Sequence, residues 1–183
     1  EAIADGDLIL LLQFAGARSS SEWECLAVHQ LLGLPVDRSR PHDEQPVFSI
    51  APWCLDADGQ PLVTFANATI QEGWLYAGPA DWDLIIPMEG EEIHLPITAT
   101  RLQAELLPDL GGVALGVLGG SVPKTGVEQA FDNVGIELPI GVEFLLGPPD
   151  LDTDGDEVTD AYSVGLTFLA APARLKDSTP RPE

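Results

Sequence analysis

Between Asp150 and Asp160, six of eleven residues are acidic and none is basic. Carboxylates this dense repel one another at neutral pH, and solvent or a bound cation is the usual relief. Asp150, Asp152, Asp154 and Asp156 fall on alternate positions, and Asp160 follows four residues later. A loop with that spacing can turn its side chains inward on a hard cation that takes roughly six to eight oxygens. Two registers fit a calcium loop. With Asp150 first, Asp152 and Asp154 stand third and fifth, and Gly155 is sixth, where a sharp turn needs glycine. The acid wanted at the last position is then Ala161. With Asp152 first, Asp154 and Asp156 stand third and fifth, Val158 gives the carbonyl of the seventh place, and Asp160 is ninth. Glu157 must then adopt the glycine conformation of the sixth. The second register is preferred because it uses Asp160 and runs straight into the next strand. The expected ligand set is Asp150, Asp152, Asp154, Asp156, Val158 and Asp160. The expected ion is Ca2+, since Mg2+ dehydrates reluctantly and prefers fewer carboxylates. The competing reading is a solvated acidic loop.

Other residues capable of chemistry are sparse. Cys25 and Cys54 are the two cysteines, and no CxxC or neighbouring catalytic His accompanies them. A disulfide is therefore expected. It would close a loop of about 30 residues, contribute roughly 3–4 kcal/mol on the chain-entropy model, and imply an oxidising compartment. His29, four residues after Cys25, does not complete a tetrahedral zinc site. Glu91-Glu92 with His94 is a mixed acid–His cluster, expected on a strand edge. No nucleophile elbow, HExxH or Cys–His spacing is present, so no catalytic residue is expected and the chain reads as non-enzymatic. Gly119-Gly120 ahead of Lys124 lacks the GxxxxGK[ST] form of a phosphate loop. Trp23, Trp53, Trp74, Trp82 and Tyr76 offer faces on which sugar rings could stack, although tryptophans of a β domain more often pack the core.

The chain has 183 residues, and 30 acids against 8 bases give it a formal charge of −22. Such a surface repels nucleic acid and anionic membrane, which excludes phosphate-backbone binding. No apolar run of about 18 residues is available to span a bilayer. The start at Glu1-Ala-Ile-Ala reads as an exported chain whose leader has been removed.

The elements that must position the acidic loop read mainly as strands. Asp7–Phe14 has strand length and is apolar enough to be buried on both faces. Ser19–Ser21, Glu22 and Gly33 bracket a predicted short helix over 22–32. Residues 35–46 form an exposed loop carrying His42, and Val47–Ile50 is a short strand. Asp58-Gly59 marks a turn. From Leu62 to Leu118 strands recur at roughly 10-residue spacing between Gly and Pro breaks. A bulge near Thr100-Arg101 would explain a change of apolar phase between Ile97 and Leu102. Ser121–Val134 is the best helix, capped at Ser121 or Thr125, with Val127, Ala130, Phe131 and Val134 on one face. Residues 135–146 read as strand or broken helix, and Ala161–Ala171 as a closing strand. The expected architecture is a mainly β, β-sandwich or jelly-roll-like domain over 1–175 with one or two short helices and a flexible tail at 176–183.

The segment from Asp152 to Ala161 resembles the calcium-binding segments of thrombospondin type 3 repeats and related bacterial outer-surface proteins, with Glu157 in place of a glycine. Leu118–Lys124, the acidic loop and Ala161–Ala173 together resemble the C-terminal half of uncharacterised secreted lipoproteins of myxobacteria and their relatives. That resemblance implies an exported, calcium-loop-bearing β domain and no known activity. The expected function is a non-catalytic extracellular or cell-surface domain, stabilised by Ca2+ and a disulfide. Its expected partners are copies of itself or another surface protein, with carbohydrate binding as the alternative.

Overall fold

The computed structural model describes residues 9–16, 22–36, 46–88, 91–135 and 142–176. The fold is mainly β with two short helices, as the sequence predicts. The described chain gathers into two compact units. The first holds residues up to Ala77, Gln103–Gly116 and those from Phe168; the second holds Gly78–Leu102 and Val117–Thr167.

The first unit is organised on one long strand. β1 (Ile9–Ala15) and β2 (Glu22–Pro35) are antiparallel, from Ile9 opposite Gly33 to Ala15 opposite Ala27. Every β1 residue is half-buried except exposed Gln13, so this strand is less enclosed than its apolar sequence suggests. β2 also pairs with β3 (Val47–Ile50) and with β4 (Val63–Gln71). β3 in turn runs parallel to β9 (Arg174–Leu175). β4 turns into β5 (Trp74–Met88) through Glu72-Gly73, both at positive φ, which is the two-residue turn that matches strand twist. The Asp58-Gly59 turn is present as expected, with the Gly59 N–H donated to the Asp56 carbonyl at 3.0 Å.

Residues 22–32 are therefore strand, not the predicted helix. Leu26, Val28 and Gln30 are buried and alternate with half-buried Ala27 and His29. Register shifts between Trp23 and Leu26 and between Leu26 and Val28 break the period of two, which removes the strand signature from the sequence. Pairing on both edges of β2 then outweighs the local helix signals. Gly33 marks a close approach rather than a helix end: a β-carbon there would meet Leu11 Cδ1 at 2.9 Å.

The expected disulfide is also corrected. Cys54 is a free, buried cysteine on the 3-10 turn Pro52–Cys54. Its thiol donates to the Ala51 carbonyl at 3.0 Å and accepts the Leu32 N–H at 3.4 Å. Leu31 and Ala51 are buried with it, and Leu11, Leu34, Ile50 and Leu55 pack on that cluster. Cys25 stands seven residues from Leu32 along β2, on the order of 20 Å at strand rise, whereas a disulfide needs Cα atoms within about 7 Å.

Beyond β5 the strand order is β6 (Glu91–Leu106), β7 (Val113–Pro123), β8 (Ala161–Ala170), and the residues of all four strands are divided between the two units. Beside the Thr100-Arg101 position expected to bulge, Ala99 is left-handed, at φ +51, and its N–H is held by Asp81 at 3.2 Å. Burial accordingly moves from Ile97 to Thr100 and then Leu102. α1 (Lys124–Asn133) buries Gly126, Val127 and Ala130. Neither expected cap forms. Pro123 holds the N-cap position without a side-chain bond, and the Ser121 hydroxyl instead lies 2.8 Å from Thr98 Oγ1. The helix starts where it does because the Lys124 N–H finds the Asp160 carbonyl at 2.9 Å. α2 (Val142–Leu146) is tied to α1 by a Lys124–Glu143 ion pair. Among the described residues no helix is long and apolar enough to cross a membrane. The tail predicted at 176–183 lies outside the described residues beyond Lys176, as does His42.

Candidate metal centre

The acidic loop is pinned at its base before any side chain is considered. Leu151 and Ala161 form an antiparallel bridge, with Leu151 N–H donating to Ala161 O at 3.0 Å and Ala161 N–H returning to Leu151 O at 3.1 Å. Residues 152–159 are thus a closed excursion from the start of β8, and all are exposed.

Inside the loop, backbone N–H groups orient the carboxylates. Asp152 accepts Gly155 N–H at 2.7 Å on Oδ1 and Glu157 N–H at 2.9 Å on Oδ2. Asp154 accepts Asp156 N–H at 3.2 Å, and Asp156 accepts Val158 N–H at 2.8 Å. Each bond folds an aspartate back over the residues that follow it, as short acidic side chains do in turns. The chain reverses at two left-handed residues, Gly155 at φ +82 and Glu157 at φ +70. Glutamate therefore takes the conformation that the preferred register assigns to glycine. The outcome is that carboxylate oxygens of Asp152, Asp154 and Asp156 lie within 4.8 Å of one another.

The remaining expected ligands stand apart from that triad. Asp150 accepts the Ser163 N–H at 2.7 Å and the Ser163 hydroxyl. It occupies the place a neighbouring strand would take beside β8. Asp160 accepts both the N–H of Thr153, at 3.0 Å, and its hydroxyl. Val158 gives its N–H to Asp156, and its side chain faces solvent. Ser163 and Thr153 are the partners that the sequence reading missed. The available signal was alternation: Ser163 is two residues past Ala161, so its N–H returns to the side of β8 that bonds Leu151.

These contacts set the electrostatics. The Ser163 hydroxyl, followed by its N–H, holds the Asp150 carboxyl below the ordinary aspartate range. The Gly155 N–H is the main cause of the same displacement at Asp152. Both groups stay ionised at neutral pH, which a hard-cation site requires. Three convergent carboxylates on alternate positions, with oxygen as the donor atom, suit Ca2+ better than a nitrogen- and sulfur-seeking metal. With the ion bound, Asp152, Asp154 and Asp156 would hold it, and its positive charge would relieve their repulsion.

The other sequence candidates lie elsewhere. His94 Nδ1 is 2.8 Å from Asp83 Oδ2, both on the exposed surface, while the side chains of Glu91 and Glu92 lie outside the described set. His29 Nδ1 is 2.9 Å from Thr64 Oγ1, and burial pushes its pKa down. Trp82 is in the core, Trp74 is half-buried, Trp53 is exposed on its 3-10 turn, and the Trp23 side chain is not among those described. Among the described residues the tryptophans form no exposed coplanar row. Tyr162 is buried with no hydrogen-bond partner for its hydroxyl among the described residues, and that burial raises its pKa. Compared with protein families, characterised proteins and solved structures, the chain finds no match.

Proposed function

We propose that this chain is a non-catalytic β domain of the cell exterior, stabilised by Ca2+ on its 150–160 loop and serving in surface assembly or partner binding. The observation that carries the reading is the convergence of the Asp152, Asp154 and Asp156 carboxylates within 4.8 Å. The formal charge of −22 supports it, because such a surface suits cations and basic partners rather than nucleic acid. Three carboxylates, with Asp150 and Asp160 engaged by Ser163 and Thr153, make a modest ligand set. The affinity expected is that of extracellular calcium modules, on the order of 10⁻⁴–10⁻³ M. The ion's role is structural: it would fix the loop that delivers the chain into β8. The exterior assignment rests on the composition and on the resemblance of the loop, since Cys54 gives it no disulfide support.

Thermal melting tests the reading. Millimolar Ca2+ should raise the melting temperature above that in EDTA, because a ligand that binds only the folded state stabilises by mass action. Asp154→Ala should abolish the difference. Superimposable curves with Ca2+ and EDTA for the unaltered chain would reduce the loop to solvated acid.

A further inference from the structure

We propose that the turn over residues 51–62 docks a basic segment of a partner protein, with an arginine stacked on Trp53 and further cationic side chains on Asp56 and Asp58. The inference names the kind of partner for the partner-binding part of the reading above. It rests on that part and does not depend on the calcium. Every residue it uses belongs to the first unit.

The turn is fixed from beneath. Ala51 and Cys54 are buried, Leu55 packs on them, and the Cys54 sulfur is tied to Ala51 and Leu32. The two arms are joined three times. Leu62 N–H donates to Cys54 O at 3.0 Å, Leu55 bridges Pro61, and Asp56 N–H donates to Gln60 O at 2.8 Å. At the tip, Asp56 Oδ1 accepts the N–H of Asp58 at 2.9 Å and that of Gln60 at 2.8 Å. Asp56 Oδ2 and both Asp58 carboxylate oxygens have no partner among the described residues, and both aspartates are exposed. Two large apolar side chains are uncovered on the same turn, Trp53 at 50% and Leu62 at 60% exposure. Leu62 is bonded to Cys54, the neighbour of Trp53, so both stand at the base of a turn whose tip is acidic.

Charge selects the occupant. An indole face attracts a cation, and guanidinium also stacks on it. Carboxylates can only accept, and they take the N–H groups of the same kind of side chain. Leu62 can cover the apolar stem of such a residue. A phosphate-bearing ligand is repelled by both aspartates and by the formal charge of −22, which draws a basic partner from a distance. A turn already held by its own backbone bonds loses little freedom on binding. Tryptophan and arginine are also the side chains on which interface energy concentrates.

The test uses the full chain in EDTA and a short fluorescein-labelled peptide alternating arginine and glycine, followed by anisotropy. Trp53→Ala should weaken binding at least about tenfold. Asp56→Asn combined with Asp58→Asn keeps the Oδ1 acceptor of the turn and should weaken it by about as much. Glu105→Gln combined with Asp132→Asn removes two exposed charges elsewhere and should leave the affinity within about twofold. A lysine–glycine peptide should bind more weakly than the arginine peptide and lose less on Trp53→Ala. An unaltered chain that does not bind, site variants that bind like it, or a control pair that loses as much as the site pair would each overturn the docking. Neutral oligosaccharides bound through Trp53, with peptide binding unchanged in Trp53→Ala, would overturn it in favour of sugar. The melting shift with Ca2+, measured on the same variants, reads the 150–160 loop separately, so loss of the docking turn and loss of the calcium site are told apart.

Discussion

Replacing Glu157 by glycine should make the protein more stable, although it deletes a side chain. Glu157 sits at φ +70 and is held there by its N–H bond to Asp152. Left-handed backbone costs an L-residue roughly 1–2 kcal/mol. Glycine adopts it freely, but gives back roughly 0.5–1 kcal/mol through the greater freedom of its unfolded chain. The net gain is about 0.5–1 kcal/mol, worth about 2–4 °C per kcal/mol in melting temperature at this chain length. Glycine also removes one negative charge from an acidic loop, so the informative comparison is Glu157→Gly against Glu157→Gln. Both variants lose the charge and both keep the N–H, while only one loses the β-carbon. Urea denaturation in EDTA, with the midpoint read at constant slope, isolates the backbone effect from any bound ion. If the glycine variant is no more stable than the glutamine variant, Glu157 is not held left-handed and the loop geometry drawn above is wrong.

Two further outcomes follow from named contacts. The Asp150 and Asp152 carboxyls are more acidic folded than their ordinary value of 3.8, so they stabilise the fold above that value. That stability is lost as pH falls through the lowered folded values. The melting temperature should hold from neutrality to about pH 4 and then decline, and Asp150→Asn should flatten the decline; a variant whose acid limb parallels the unaltered protein would remove the Asp150–Ser163 contact from the explanation. Cys54 should resist a thiol reagent in the native protein and label fully in denaturant without reductant, as read by mass spectrometry of the peptide that contains it. A need for reductant would mean that the thiol is bonded rather than free.

What could be read in the sequence depended on whether the decisive partner was near in the chain. The strands from Val63 onward announce themselves because each turn is local: Glu72-Gly73 carries its own left-handed residues, and the left-handed Ala99 shows as a slipped apolar phase between Ile97 and Thr100. The aspartate triad was legible for the same reason, since its spacing and its N–H donors all fall within Asp152–Val158. β2 was not, because its bulges erase the alternation and its identity is fixed by partners as distant as Gln71. The start of α1 depends on the Asp160 carbonyl rather than on Ser121 or Thr125. Cys54 was misread because spacing alone cannot show that its sulfur is aimed at Ala51 and Leu32. Asp150 and Asp160 matched the calcium spacing, and only Ser163 and Thr153 reveal where their oxygens go.

The parallel bond between β3 and β9 has a consequence for synthesis. Arg174 and Leu175, near the end of the described chain, pair with Val47 and Phe48, near its beginning. The first unit is assembled from three separate stretches, and the second is enclosed between them in sequence. A ribosome must therefore deliver everything from β3 through β9 before the two strands meet. The N-terminal stretch spends translation with that edge open, and no single cut yields either unit whole. Truncation after β8 would remove the β9 partner of β3, so fragments chosen to isolate the acidic loop must carry β3 as well as β9 to preserve the first unit.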